Sequence, residues 1–550
     1  MQLWDEHQPN YKTTLPYRIA FLCSIALLVF LGLKWQSNLT SVMDVLAADE
    51  AEYLRNGLAL FDKVYKDWGP SYNIWYKILS IFTTTKLELY YLNFTITAVF
   101  AAVLLFVVLE RYGISLIVAL FLSALFFISE LNIETWPRVS HFVFICLMIG
   151  LYISYSLKNA AQQLFLFAGI AIIAAYARPE IRPFAFIILL MAFIVAYWNK
   201  ISLKSYLLFA ISALILFVFF QIVYGSPASF YRGNVDRMYI AFCQHVAVNE
   251  FLHHDKTVDA MAGWRVYADK VFPKCDTFSC ILTHYPMAIV QNVLYNIPTY
   301  LLTILQTLGS FLFPIVIFKK KKIFLGICVA LLIFILGNFI YKPSRTALFE
   351  KFKKYKWPFI ALFIIGTPTM MTSLLIFPRM HYLMCHLFLI LFVLAFFMNE
   401  WYKRFKIPTA TFIVVVIFFI VISPTAANYK FFRDNDDLGN LCGQKYVHYF
   451  NKDQQKKHII FSDILNLSYL LPNNYSDYSV EYDFKKNMQF DSVRRANKID
   501  IVFVNQNILK NPYLSKDSTW LHFLKRYEDF GFEKKQIYNE CNIYILQQKK

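Results

Sequence analysis

Charge is scarce in this chain. Only 16% of its 550 residues are charged, while 58% are hydrophobic and 18% aromatic, a balance far from that of soluble domains. The deficit excludes a wholly solvent-exposed fold and points to an integral membrane protein. The first long apolar run, residues 19–35, lacks a small-residue cleavage site and is followed by many runs like it. It therefore reads as a retained helix, not a signal peptide. The hydrophilic tail lacks a glycine-rich phosphate loop, which argues against a nucleotide site there. No HExxH or closely matched ligand set marks a metal centre. Two related halves, the mark of many transporters, are not found.

What is present is repetition. A bilayer core of about 30 Å needs roughly 20 apolar residues per helix. Candidate spans are 19–35, 91–109, 114–129, 141–157, 163–177, 184–198, 205–224, 299–318, 323–341, 358–377, 382–399 and 408–424. Two connections are long, 36–90 and 225–298. They follow the first and seventh spans, so they emerge on one side and can build one site together. The formal charge of +18 lies partly in clusters at run ends, KKKK at 319–322 and EKFKKYK at 350–356. That placement suits lipid headgroups and cytoplasmic loops, not nucleic acid. Nine cysteines are scattered. Cys275 with Cys280, and Cys442 with Cys541, read equally well as disulfides or as free thiols.

From about residue 425 the composition changes. HIIFSDI (458–464) is strand-like and LNLSYLL helix-like. KIDIVFV (498–504) is strand-like, STWLHFLKRYEDFGF amphipathic, and CNIYIL β-rich. This order predicts a small soluble α/β domain over 425–550, after a membrane domain over 1–424. Twelve spans with an inside N-terminus would return the tail to the cytoplasm and put the lysine-rich 342–357 outside, against the charge rule. One crossing more or fewer repairs both. The proline-interrupted stretch 284–318 is the place for it, because 286–297 separates Ile289, Val290, Val293, Leu294 and Ile297 from Gln291, Asn292, Tyr295 and Asn296, as in an interfacial helix. The expectation is 11–13 transmembrane helices, with both long loops and the tail outside.

The first long loop carries SVMDVLAADEAEYLRNG (41–57), which places Asp44, Asp49, Glu50 and Glu52 beside a membrane. A helix-like segment and KDWGPSYNIWYKIL (66–79) follow. Asp49 and Glu50 at a helix start also fit simple first-turn acids. Asp44 and Glu52 read as solvated loop acids. Trp68, Pro70 and Tyr72 fit either an interfacial aromatic belt or the wall of a pocket.

An acidic pair in the first external loop followed by an aromatic and proline-rich element, in a protein of many spans, resembles the GT-C superfamily of glycosyltransferases. The closest echoes are the lipid A aminoarabinose transferases and the protein O-mannosyltransferases, whose first loop carries a DE pair and then a PPLYYW-like segment. The likeness covers most of the chain in layout but only short motifs in identity. It implies a GT-C fold and a sugar donor on polyprenyl phosphate. It implies a lipid or polysaccharide acceptor ahead of a protein, and inverting transfer on the extracytoplasmic face of the inner membrane. In those families a carboxylate takes the acceptor proton, which assigns Asp49 as general base with Glu50 supporting it and Tyr53 beside them. A second acid from the next external turn often joins the site. Glu134 in SELNIETWPRVSH (129–141) is the candidate and Glu130 its rival. Some members use a divalent metal, and nothing in this sequence fixes one.

Several cations sit at membrane depth. Arg138, beside the candidate acid Glu134, is expected to bind substrate, though its i,i+4 spacing to Glu134 also fits a surface pair of small energy. Arg178, in ARPEIRP (177–183), would meet carrier phosphate or else pair with Glu180. In FPRMHYLMCH (377–386), Arg379, His381 and Tyr382 would face the same cavity, Arg379 stabilising the departing phosphate. In the middle loop His245 and Asn249 share a helical face and would line the acceptor entrance, whereas His253 and His254 read as exposed. A glycolipid transporter or flippase, and a surface-polysaccharide polymerase or ligase, are the rival functions.

Overall fold

The computed structural model describes residues 11–550 apart from 46–47, 63–68, 84, 134–136, 227–230, 233–234, 259–263, 313–320, 429–440, 452–455, 465–466, 481–483, 485–487, 512, 539–542 and 550. The helices that build the site are α1 (Leu15–Gln36), α2 (Ala48–Leu58), α3 (Pro70–Leu79), α4 (Lys86–Arg111), α5 (Leu116–Phe127) and α6 (Val139–Ser154). After them come α7 (Ala160–Ala175), α8 (Arg182–Trp198), α9 (Leu203–Tyr224) and α10 (Arg237–His253). The second half adds α11 (Pro286–Leu312), α12 (Lys321–Ile340), α13 (Lys342–Lys354), α14 (Lys356–Leu375), α15 (Met380–Arg404) and α16 (Thr411–Ile422).

Among the described residues, six helical segments are long and apolar enough to cross a membrane, and five shorter apolar helices accompany them. Their outer faces are greasy: Leu208 and Ile222 on α9 are 73% and 77% exposed. A soluble protein would bury such a face, so lipid is its solvent. This is a helical membrane protein.

Contacts sort the helix ends into two groups. At one end lie the first loop and the turns after α5, α7, α9 and α14. Arg138 N donates to Glu50, Ser71 N to the Tyr176 carbonyl and Tyr176 Oη to the Gly225 carbonyl. At the opposite end Tyr17 Oη donates to Glu110, Ser115 N to Asn399, Trp401 Nε1 to Asn338 and Arg404 to Tyr341. The chain leaves α9 at the first-loop end and leaves α12 at the opposite end, so α11 and α12 together make one net passage. This is where the sequence needs its parity correction.

The polar face of α11 has a different use from the one its sequence suggests. Asn292 Nδ2 donates to the Leu375 carbonyl and Asn296 Nδ2 to the Leu374 carbonyl, both at 2.8 Å. Asn249 Nδ2 of α10 reaches Asn292 and Asn296. The polar stripe therefore caps the end of α14, while the apolar Leu294 is 60% exposed. Buried amides at a helix end satisfy carbonyls that have no partner within the helix.

The tail begins with α17 (Cys442–Phe450) and forms a five-stranded sheet of β1 (His458–Ser462), β2 (Tyr475–Ser479), β3 (Ile501–Val504), β4 (Phe532–Tyr538) and β5 (Ile543–Gln548). Its order is β2-β1-β3-β5-β4, parallel through β2, β1 and β3 and antiparallel beyond. β3, buried at every position, is central. The described residues of LNLSYLL hold a short 3-10 turn, Leu467–Tyr469, and the amphipathic stretch is an α-helix over Ser518–Lys525 and a 3-10 turn over Tyr527–Phe530 before β4 begins.

The sequence reading of Asp44 as a solvated acid is corrected. Asp44 is 4% exposed and accepts from Gly443 N at 2.6 Å and Gln444 N at 2.8 Å. It caps α17, so the first loop holds the tail by the positive end of a helix. Gln444 Nε2 adds bonds to the Met43 carbonyl and to Tyr91 Oη. Glu52 is half-buried, not solvated.

Candidate functional site

The first turn of α2 carries both acids of the pair. Successive helical residues point about 100° apart, and the two carboxylates meet different surroundings. Glu50 is 3% exposed. Its Oε1 accepts from Tyr72 Oη and Tyr76 Oη at 2.6 Å each and from Asn93 Nδ2 at 3.0 Å, and its Oε2 accepts from Arg138 N at 3.0 Å. Burial raises its carboxyl pKa above the ordinary value, opposed by bonds from Tyr72, Tyr76 and Arg138. Glu50 is thus the hub that ties the first loop to α3, α4 and α6.

α3 is built to supply two of those donors. Gly69 sits at φ +48°, a left-handed conformation that glycine adopts without strain, and a Cβ there would collide with the Tyr53 ring. Pro70 then starts the helix with its pre-set φ. Tyr72 and Tyr76, four apart, project side by side. The expectation that Tyr72 walls a sugar pocket is corrected, because it is fully buried with its hydroxyl on Glu50. Pro70 is buried as well.

Asp49 is half-buried and shares a face of α2 with Tyr53, four residues on. The Tyr53 phenol is held well above its usual pKa, by burial first and by Asp49 next, with Arg178 and Arg237 pulling the other way. Residues from the first loop, the turn after α7 and the start of α10 therefore converge electrostatically on one hydroxyl. The Arg178 guanidinium bonds Glu180 at 2.8 Å and lies 4.6 Å over the Tyr382 ring. Burial lowers the Arg178 pKa, yet Glu180 and its neighbours more than offset this, so it stays a cation.

Arg379, exposed at the start of α15, donates to His245 Nε2 at 2.6 Å. His245 in turn bonds the Ala241 carbonyl through Nδ1 at 2.6 Å and stacks on Phe377. His381 is buried against Tyr382, with ring centroids 4.3 Å apart. Asp49, Tyr53, Arg178, His245, Arg379, His381 and Tyr382 thus gather at the first-loop end.

Arg138 does not line this region. It is 0% exposed, and its guanidinium bonds Thr97 Oγ1 and the Asn132 carbonyl while lying 4.4 Å from the Phe94 ring. A desolvated guanidinium needs several acceptors, and α4 and its neighbours supply them. Trp68 and Glu134 fall outside the described residues. The rival Glu130 is half-buried, and burial pushes its carboxyl up to about 7.

Tyr76, Asn93 and Arg237 escaped the sequence reading. The i,i+4 tyrosines of SYNIWY were a signal for the first. Asn93 and Arg237 gave none, since an asparagine in an apolar helix and a loop arginine are common. Cys275, Cys280 and His284 are the one three-ligand cluster found among the described residues, but the two cysteines form a disulfide, so they are not available to a metal. Cys442 is disulfide-bonded too. Cys541 lies outside the described residues. His253 and His254 are exposed. No protein-family model matches the chain, and neither does any curated protein.

Proposed function

We propose that this protein is a membrane glycosyltransferase of GT-C type that moves a sugar from a polyprenyl-phosphate carrier to an acceptor on the extracytoplasmic face. One observation carries the reading: a half-buried carboxylate, Asp49, stands one helical turn from the buried Tyr53 at the same end of the molecule as Arg178, 4.6 Å over the Tyr382 ring, and Arg379, bonded to His245. A base and cations within one polar patch at the bilayer edge suit transfer from a phosphate ester.

In this mechanism an Asp49 carboxylate oxygen accepts the acceptor's hydroxyl proton. The acceptor oxygen bonds the anomeric carbon from the face opposite the phosphate, the carbon–phosphate-oxygen bond breaks, and the electron pair leaves with polyprenyl phosphate. Arg379 and Arg178 hold the departing charge, while Glu50 fixes the helix that presents Asp49. The sidedness has two supports. Disulfides at Cys275–Cys280 and at Cys442 suit an oxidising compartment. Lys351, Lys353, Lys354, Lys403 and Arg404 collect at the opposite end, as cytoplasmic loops require. On this reading the chain lies in the inner membrane with 11–13 spans.

The test is the change Asp49→Asn in folded protein, assayed with a labelled polyprenyl-phosphate sugar and product mass. Turnover should fall by about 10²–10⁴-fold. Undiminished transfer, or a product carrying no new glycosidic bond, rejects the proposal.

A further inference from the structure

A separate cavity of about 540 Å³ opens where the end of α2 and the start of α4 meet β2, the edge strand of the tail sheet. It falls within the usual volume of ligand pockets. Its charges balance and its cations are engaged. Arg55 lies 4.1 Å over the Tyr469 ring, and Lys86 donates to the Leu471 carbonyl and to Asn473 Oδ1. Against them stand Asp62, exposed on the rim, and Asp477, which accepts from Ser468 N at 2.9 Å. Ser468 itself is 4% exposed, and its hydroxyl has no hydrogen-bond partner among the described residues. A buried hydroxyl without a partner invites one from a ligand.

We propose that this cavity binds a neutral, hydroxyl-rich chain, as a subsite for an acceptor glycan. The argument is chemical. Balanced charge disfavours an anion, which would want cations free of other contacts. Interleaved carboxylate, amide and hydroxyl groups match the paired donor and acceptor capacity of sugar hydroxyls. Leu58, on the cavity wall, lies nine residues beyond Asp49 on α2, about 14 Å at 1.5 Å per residue. A glycan seated there could extend its end towards Asp49, and this last step alone rests on the transferase reading.

The experiment uses the full-length protein in nanodiscs, titrated calorimetrically with neutral gluco-, manno- and N-acetylglucosamine hexaoses and with hexagalacturonate. At least one neutral hexaose should bind. Ser476→Trp, an exposed position on β2 that fills the cavity, should weaken binding at least tenfold, and the gentler Asp62→Ala should weaken it a few-fold. Binding only of the anionic probe, no binding of any neutral hexaose, or binding indifferent to both cavity variants overturns the subsite. Glycan binding that persists in a protein without transferase activity would sink the enzymatic reading and leave the subsite standing.

Discussion

Arg379 and His245, 134 residues apart, share a hydrogen bond of 2.6 Å in which the guanidinium donates to imidazole Nε2. His245 must therefore be neutral, with its proton on Nδ1 facing the Ala241 carbonyl. Burial first, then the Arg379 charge, bring its pKa down to about 4. An unfolded histidine binds its proton near 6.5, so between about 4 and 6.5 the unfolded chain holds more protons than the folded one. Stability should then rise with pH across that window and level off above it. His245→Gln keeps an acceptor for Arg379 without a titrating group. Its apparent Tm should fall less than that of the parent as pH drops from 6.5 to 4, and an equal fall in both would refute the linkage.

The same pair sets a prediction for activity. His245→Leu removes the acceptor and leaves Arg379 unanchored. A hydrogen bond to a charged group contributes about 1.5–3 kcal/mol, so transfer should drop by roughly ten- to a hundredfold, with His245→Gln recovering most of it. A leucine variant as active as the glutamine variant would show that Arg379 needs no such anchor.

Gly443 has little room for a side chain where it stands. A Cβ there would lie 2.7 Å from Val45 Cγ2 and 3.0 Å from Asp44 Oδ1, closer than carbon and oxygen tolerate, while Gly443 N must still reach Asp44. Gly443→Val should therefore loosen the tail from the first loop. Asp44→Ala should do so too, since it orphans the Gly443 and Gln444 amides at a cost of about 1–3 kcal/mol each. Limited proteolysis should release the tail faster from both variants than from the parent. Unchanged cleavage would deny Asp44 a docking role.

Glu50 and Asp49 separate structure from chemistry. In Glu50→Gln the amide can keep its carbonyl towards Tyr72, Tyr76 and Asn93, but its NH2 then confronts the Arg138 amide. One buried N–H loses its acceptor, a loss of about 1–3 kcal/mol. Thermal unfolding should shift down clearly in Glu50→Gln and little in Asp49→Asn. A larger shift in Asp49→Asn than in Glu50→Gln would reverse the roles given to the two acids.

Much of the layout was legible because apolar runs and their charged flanks report membrane depth directly. The gathering of Asp49, Tyr53, Arg178 and His245 at one end followed from counting passages up to α9, whereas the side on which Arg379 lies depended on the parity of the stretch 284–318. What stayed hidden were partners. Glu50 and Asp49 look alike in a string of letters, and only the donors from α3, α4 and α6 make one a buried hub. Arg138 looked like a ligand for substrate since the sequence could not show the carbonyls waiting for it. Asp44 looked solvated because its partners, the Gly443 and Gln444 amides, lie some four hundred residues away. The polar stripe of α11 was read correctly as a stripe, but its direction depends on the free carbonyls of α14, which periodicity does not report.

Gly69 joins the backbone of α3 to the candidate base. Its φ of +48° is strained for any residue with a Cβ, by roughly 1–2 kcal/mol, and the added carbon would press on the Tyr53 ring. Tyr53 packs on Tyr72 with centroids 4.9 Å apart, and it stands one helical turn from Asp49 on α2. Gly69→Ala should therefore push Tyr53, and with it the turn carrying Asp49, out of register with Arg178. Transfer should fall by about tenfold or more in the variant, mostly in kcat because the arginines that hold phosphate are untouched. Tyr53→Phe keeps the ring and should leave the Gly69 packing intact, so it reports the hydroxyl alone. If Gly69→Ala matches the parent in kcat, the left-handed turn has no part in placing the carboxylate.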